Sequence, residues 1–315
     1  MMIKNYLWGS LLFGLAAILS KIESVNAAAW KMPSDLNCPD PTITREGNRW
    51  FVFCTGLGIQ VLTSTNGHDW KRLKPVFPKG QEWWNQLVPQ HNDTNVWAPD
   101  ISYFNGKAHL FYSISTSGSR TSAIGYATAD SVTAGNWKDQ GVVTSTTEQE
   151  NQYNAIDPNL VLDKKGKPWL LFGSFFDGIK ITALNRKTMK PVGPLHSVAR
   201  KEGGIEGTIL TYHGDYWYLF VSLGHCCQGL QSNYRIAVAR SKKIAGPYFD
   251  RDGVNALNGG ASVIYDGNHD GILAPGGQDV FNNKVIAYHY YNKESGDRTL
   301  RINDIYWGDD GWPRF

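Results

Sequence analysis

The stretch Asp157–Phe172, DPNLVLDKKGKPWLLF, decides the fold. An acidic residue opens it, and the short apolar run Asn159-Leu160-Val161-Leu162 follows. Lys165-Gly166-Lys167 then turns the chain into a second run, Trp169-Leu170-Leu171-Phe172. A glycine turn between two short apolar runs is the signature of a β-hairpin. The same order recurs outward in both directions. Asp40-Pro41-Thr42-Ile43, Asp100-Ile101-Ser102-Tyr103, Glu206-Gly207-Thr208-Ile209 and Gln278-Asp279-Val280-Phe281 open four more units. Their turns are Glu46-Gly47-Asn48, Asn105-Gly106-Lys107, His213-Gly214-Asp215 and Asn282-Asn283, each followed by an aromatic, β-branched strand such as Tyr216-Trp217-Tyr218-Leu219-Phe220-Val221. Third strands such as Arg235-Ile236-Ala237-Val238-Ala239-Arg240 complete the units, whose openings lie 49 to 72 residues apart. Five units of three or four short strands predict an all-β, five-bladed β-propeller. A sandwich or jelly roll would also show short strands, but gives no reason for a polar residue at the start of every unit.

Residues 1–27 read as a secretory signal peptide. Lys4 is followed by a nearly uncharged run from Leu7 to Leu19, and small residues suited to cleavage stand at Val25-Asn26-Ala27 or Ala27-Ala28-Ala29. The run is short for a membrane span. The expected mature protein is a single propeller domain, 28–315, secreted to the extracellular space and free of the membrane once the signal is removed.

Secretion changes the reading of the four cysteines. An oxidising compartment favours disulfides, and Cys38, Cys54, Cys226 and Cys227 are an even set. Cys38 and Cys54 flank one hairpin, which suits a local bridge. Adjacent Cys226 and Cys227 suit either a vicinal disulfide or two free thiols, and their spacing does not suit zinc. Asn92-Asp93-Thr94 is a glycosylation sequon, usable only on an exposed loop.

Composition narrows the partner. The chain carries 31 Lys and Arg against 28 Asp and Glu, a net +3, which argues against nucleic acid or an anionic membrane. With 12 Trp, 15 Tyr, 13 Phe and 33 Gly it is no disordered or coiled-coil chain. In a propeller the first strand of each blade lines the axis, so Asp40, Asp100, Asp157 and Glu206 are expected to converge as a ring. Like charges in a partly desolvated funnel drive their pKa values apart, leaving one carboxylate as base and another protonated as acid. Two carboxyl groups with divided protonation are what glycosidic cleavage requires.

Several linked motifs carry a resemblance. Asp40-Pro41, Trp97-Ala98-Pro99-Asp100, Ser122-Ala123-Ile124-Gly125, Tyr153-Asn154-Ala155-Ile156-Asp157-Pro158, Phe172-Gly173-Ser174-Phe175, Glu206-Gly207, Cys226-Cys227 and Pro275-Gly276-Gly277-Gln278 resemble the five-bladed enzymes of glycoside hydrolase family 43. Within it the endo-1,5-α-L-arabinanases are most similar, from about Asn37 to Gly311-Trp312-Pro313.

The resemblance implies Asp40 as general base, Glu206 as general acid, and Asp157 as the residue that raises the pKa of the acid and orients it. It implies inversion, with Asp40 and Glu206 about 6.5–9.5 Å apart to admit water. Trp97, Asp100, Asn154 and Ser174 are then the expected sugar contacts, with Trp97 stacking on a ring face. His289 would hold a cation, commonly calcium, mostly through water. No organic cofactor is implied. The partner is a polysaccharide, arabinan, and the chain is expected to act as a monomer.

Two departures bear on sugar affinity. Thr116-Ser117 precedes Gly118 where an aromatic is common, and Phe176 stands where tryptophan is common. Endo-action is therefore weighed against an exo-acting α-L-arabinofuranosidase or β-xylosidase of the same family, and against a non-catalytic carbohydrate-binding propeller.

Overall fold

A computed structural model describes residues 29–267 and 271–315. The proposed signal peptide lies outside the described residues. Five of the six antiparallel sheets among the described residues follow one another along the chain as blades I to V, the sixth being the two-stranded ladder of Tyr306–Trp307 and Pro313–Arg314. Blade I is built from Thr42–Glu46, Arg49–Cys54, Gln60–Ser64 and Lys71–Arg72, and blade II from Asn95–Phe104, Lys107–Ile114, Ser122–Ala129 and Lys138–Thr146. Blade III comprises Asn159–Leu162, Pro168–Phe172, Ile179–Leu184 and Pro191–Ala199. Blade IV comprises Ile205–His213, Tyr216–Leu223, Arg235–Ser241 and Ser262–Tyr265. Blade V has Ile272–Phe281, Val285–Asn292 and Arg298–Asp304. Its outer strand is covered by the N-terminal segment, through antiparallel bridges Ala29↔Asn303 and Asn37↔Thr299. Both ends of the described chain thus meet on one blade, which closes the ring and hides an edge that would otherwise be unpaired.

The hairpin turns fall where the sequence puts them. Asn105 and Gly106 have φ of 50° and 71°, and Asn282 and Asn283 have 50° and 58°. Paired left-handed residues give the turn whose twist matches the strands.

The second strand of each blade reads as unbroken apolar sequence because both its faces are covered. Phe51 and Phe53 pack into a cluster with Leu110 and Tyr112 of blade II. Val52, one residue out of phase, packs with Ala287 and Leu300 of blade V. The same alternation sends Leu219 and Val221 toward blade III, and Tyr218 and Phe220 toward blade V. Each such fully buried side chain contributes about 1.5–3 kcal/mol. The core is thus a ring of inter-blade wedges around an axis that remains polar. Among the described residues no helix is long and apolar enough to cross a membrane.

Candidate active site

At the mouth of the axis equivalent residues of the five inner segments, before or within their strands, lie in the left-handed region. These are Asp40 (φ 47°), Ala98 (38°), Asp157 (54°), Gly207 (57°) and Gly277 (56°). A side chain from the second strand of the preceding blade receives the N–H of most of them. Thr55 Oγ1 accepts from Ala98 N at 2.8 Å, Ser113 Oγ from Asp157 N at 3.0 Å, and Ser222 Oγ from Gly277 N at 2.8 Å. His289 Nδ1 accepts from Asp40 N at 3.1 Å.

The junction of blades III and IV breaks the pattern. Ser174 Oγ donates instead to Glu206 Oε2 at 2.7 Å, and Asp157 Oδ2 takes the Gly207 N–H at 2.9 Å. Asp157 therefore holds the peptide that follows Glu206. Tyr234 Oη donates to Glu206 Oε1, so both oxygens of this carboxyl are met by hydroxyls. Asn154 Oδ1 accepts from Ser174 N at 2.8 Å and fixes that serine. Asp40 Oδ2 accepts from Thr55 Oγ1 at 2.6 Å. The consecutive glycines Gly276 and Gly277 make room for these side chains. A Cβ on Gly277 would stand 2.5 Å from Asp40 Oδ1, and one on Gly276 would strike the Tyr234 ring.

These residues open into a funnel of about 690 Å³, lined also by Trp97 and by Thr116, Ser117 and Phe176. The absence of an aromatic at Thr116-Ser117 thus falls on the funnel wall. Phe176 is 44% exposed, and the Arg120 guanidinium lies 5.5 Å from its ring centroid.

Electrostatics separates the carboxylates. Withdrawal from water raises the pKa of Glu206. The hydroxyls of Tyr234 and Ser174 pull it back, and the charge of Asp40 pushes it up again. Asp157 is held well above the usual range by the same withdrawal and by the charges of Glu206 and Asp40, against the Gly207 N–H. The charged forms of Glu206 and Asp157 are thus both disfavoured, which holds Glu206 in the protonated direction that a general acid needs.

Asp100 departs from expectation. The residue equivalent to Asp40 and Asp157 in blade II is Ala98, and Asp100 falls two residues further down the strand, on the same face but below the mouth. It does not line the funnel. Its oxygens accept from Asn159 Nδ2 at 2.9 Å and Leu160 N at 2.8 Å, tying blade II to blade III. Asp279 does the same between blades V and I, accepting from Thr42 Oγ1 and Ile43 N, both at 2.8 Å. Burial, and then the charge of Asp279, raises Asp100 to about 7. Of the expected ring of four carboxylates, Asp40, Asp157 and Glu206 line the funnel and Asp100 lies outside it as a strut, while the strut Asp279 reaches the lining. The bulge between Trp97 and Asp100 sets this offset, and a bulge leaves no mark in the alternation of side chains.

Thr55 and Tyr234 were not anticipated. Thr55 ends an apolar strand and Tyr234 precedes one, so each reads locally as packing. Only the neighbouring blade shows what its hydroxyl meets.

A cation at the axis is implied by the resemblance rather than by any ligand cluster. No group of three His, Cys, Asp or Glu suited to a metal occurs among the described residues. His289 is nevertheless fully buried, its Nε2 has no hydrogen-bond partner, and burial lowers its pKa to about 4. With Nδ1 accepting from Asp40 N, the neutral ring carries its proton on Nε2. A cation held at Nε2, with water completing the shell, would need the other tautomer, with the proton on Nδ1 facing Asp40 Oδ1, 3.4 Å away, in place of that contact.

Both disulfides are formed. Cys38 is bonded to Cys54, with Cα atoms 5.2 Å apart, and Cys226 to Cys227. Asn92 and Asp93 are exposed, so the sequon stands on an accessible loop.

Residues 34–313 match the model of glycosyl hydrolases family 43. The chain belongs to glycosyl hydrolase family 43. The extracellular endo-α-(1→5)-L-arabinanase 1 of Bacillus subtilis is 44% identical over 306 residues, 95% of this chain and 93% of the relative. An extracellular exo-α-(1→5)-L-arabinofuranosidase of Cellvibrio japonicus is 33% identical, over 87% and 85%. The solved family 43 endo-arabinanase of Bacillus licheniformis superposes with a TM-score of 0.87 at 46% identity, covering 91% of this chain and all of that one. Membership of a glycosyl hydrolase family, beside relatives named as arabinanases, removes the reading as a purely binding propeller.

Proposed function

We propose that this protein is a secreted, inverting endo-1,5-α-L-arabinanase. The observation that carries the chemistry is Glu206, a buried carboxyl raised in pKa, gripped by Ser174 and Tyr234, and facing the same funnel as Asp40. Asp40 receives a proton from water as that water attacks the anomeric carbon. Glu206 delivers its proton to the departing glycosidic oxygen, and attack opposite the leaving group inverts the anomeric centre. Asp157 orients the acid through the Gly207 peptide, and the charge that raises the pKa of Glu206 is that of Asp40. Asn154 acts through Ser174, and Trp97 offers an aromatic face to a sugar ring. A cation at His289, when bound, would supply positive charge that favours the ionised form of Asp40.

Endo-action follows the relatives of higher identity, and their extracellular naming supports secretion. The protein is taken to act as a monomer. The test is incubation with debranched linear arabinan, with chromatography of the products and polarimetry of the released anomer. A ladder of oligosaccharides with initially inverted configuration is expected. Release of one short product from chain ends would indicate the exo-acting reading, and no release would overturn arabinan as substrate.

A further inference from the structure

The Cys226–Cys227 bond takes no part in the chemistry above, yet it lies on the funnel wall. It opens the loop joining the second and third strands of blade IV. That loop is pinned at its base, where His225 N donates to Asn233 Oδ1 at 2.7 Å and Asn233 N donates to His225 O at 3.0 Å. Cys226 is half-buried against Tyr234, Ala274 and Tyr291. Cys227 is exposed, sits in the left-handed region at φ 66°, and donates its N–H to Tyr291 Oη at 2.6 Å. The disulfide is thereby fixed from behind while its outer sulfur faces the opening.

Beside it stands Arg298, also on the funnel wall, with Nη1 3.8 Å from Cys227 Sγ. No carboxylate pairs with this guanidinium among the described residues. A disulfide between adjacent residues is a small, rigid, polarizable surface that makes no strong hydrogen bond, so it offers an apolar plane much as an aromatic ring does. The unpaired guanidinium at its edge supplies fixed donors. A sugar ring has the complementary form, with a face of C–H groups and an edge of oxygens.

We propose that Cys226–Cys227 and Arg298 together form a sugar-binding subsite on the blade IV–V wall. The disulfide packs on the C–H face of a residue flanking the bond to be cut, and Arg298 donates to the oxygens of that residue. This rests on the reading of the chain as an arabinan hydrolase, and it replaces in part the aromatic platform missing at Thr116-Ser117.

The test is calorimetric binding of linear 1,5-linked arabino-oligosaccharides of increasing length to Glu206→Gln, which binds without turnover. The same titrations are run with Cys226→Ser/Cys227→Ser and, separately, Arg298→Ala added to that background. One lost packing or charged contact should weaken every ligand that spans the bond to be cut about five- to tenfold. Equal affinity at every length would overturn the proposal, and if the serine variant does not fold, Arg298→Ala alone decides. In the active enzyme a rise in KM at constant kcat is expected. A fall in kcat at constant KM would show that the loop acts through Tyr234 on Glu206, and would also overturn it. Failure of the unsubstituted enzyme to cleave arabinan would instead remove the underlying reading.

Discussion

Ser174 Oγ donates to Glu206 Oε2 at 2.7 Å, at the one junction where the side chain from the preceding blade's second-strand end does not take the N–H of the next blade. Elsewhere Thr55, Ser113 and Ser222 spend their oxygens on that N–H. Here Asp157 does so, and Ser174 is released to hold the acid. A repeated structural latch has been exchanged for a contact to the Glu206 carboxyl at one position in five.

Removing a donor to Glu206 should therefore move its titration. The Tyr234 hydroxyl favours the charged form of Glu206, so Tyr234→Phe raises the pKa further. The alkaline limb of kcat/KM, where the acid loses its proton, should shift to higher pH while the maximum falls through misorientation. A pH-rate profile checks this, and a shift to lower pH would contradict the assigned contact.

Asp40→Asn and Glu206→Gln should each lower kcat by about 10²- to 10⁴-fold, the usual contribution of a positioned base or acid. Asparagine tolerates the left-handed backbone at Asp40, so the melting temperature should change little. Near-native turnover by either variant, measured on linear arabinan, would remove that residue from its role.

Asp100 should act on stability rather than on sugar binding. Its pKa is raised from 3.8 to about 7, so the folded state binds a proton more tightly than the unfolded chain. Its contribution is most favourable below about pH 4 and is lost as pH rises toward 7. Asp100→Asn removes this titration and should flatten the decline of unfolding free energy across that window. It should cost about 1–3 kcal/mol through an imperfect partner for Asn159 or Leu160. Urea melts at several pH values read both effects, and an unchanged KM separates a strut from a sugar contact.

The Cys38–Cys54 bond ties the segment leading into Asp40 to the second strand of blade I, beside the outer strand of blade V, where Cys38 N meets Arg298 O. Cys38→Ala/Cys54→Ala should lose about 2–4 kcal/mol for a closed loop of this length. Thermal unfolding measures it, and an unchanged midpoint would show that blade V holds the segment unaided.

Chelation followed by calcium titration tests His289. Calcium should raise the melting temperature of the stripped protein, since a ligand bound only by the folded state stabilises it. His289→Ala should abolish that rise, and no calcium response in the unsubstituted chain would remove the cation.

Much of this was legible in the sequence because the determinants are local. Turn residues such as Asn105-Gly106 and the doubly buried second strands act over a few positions, so five hairpins and their order follow from spacing alone. The carboxylates Asp40, Asp157 and Glu206 were marked by where their strands begin. Tertiary structure decided the rest, because depth along the axis and partners across a junction are set by bulges and by the packing of neighbouring blades. These placed Ala98 rather than Asp100 at the mouth, brought Tyr234 to Glu206, and left the Cys226–Cys227 bond facing the funnel.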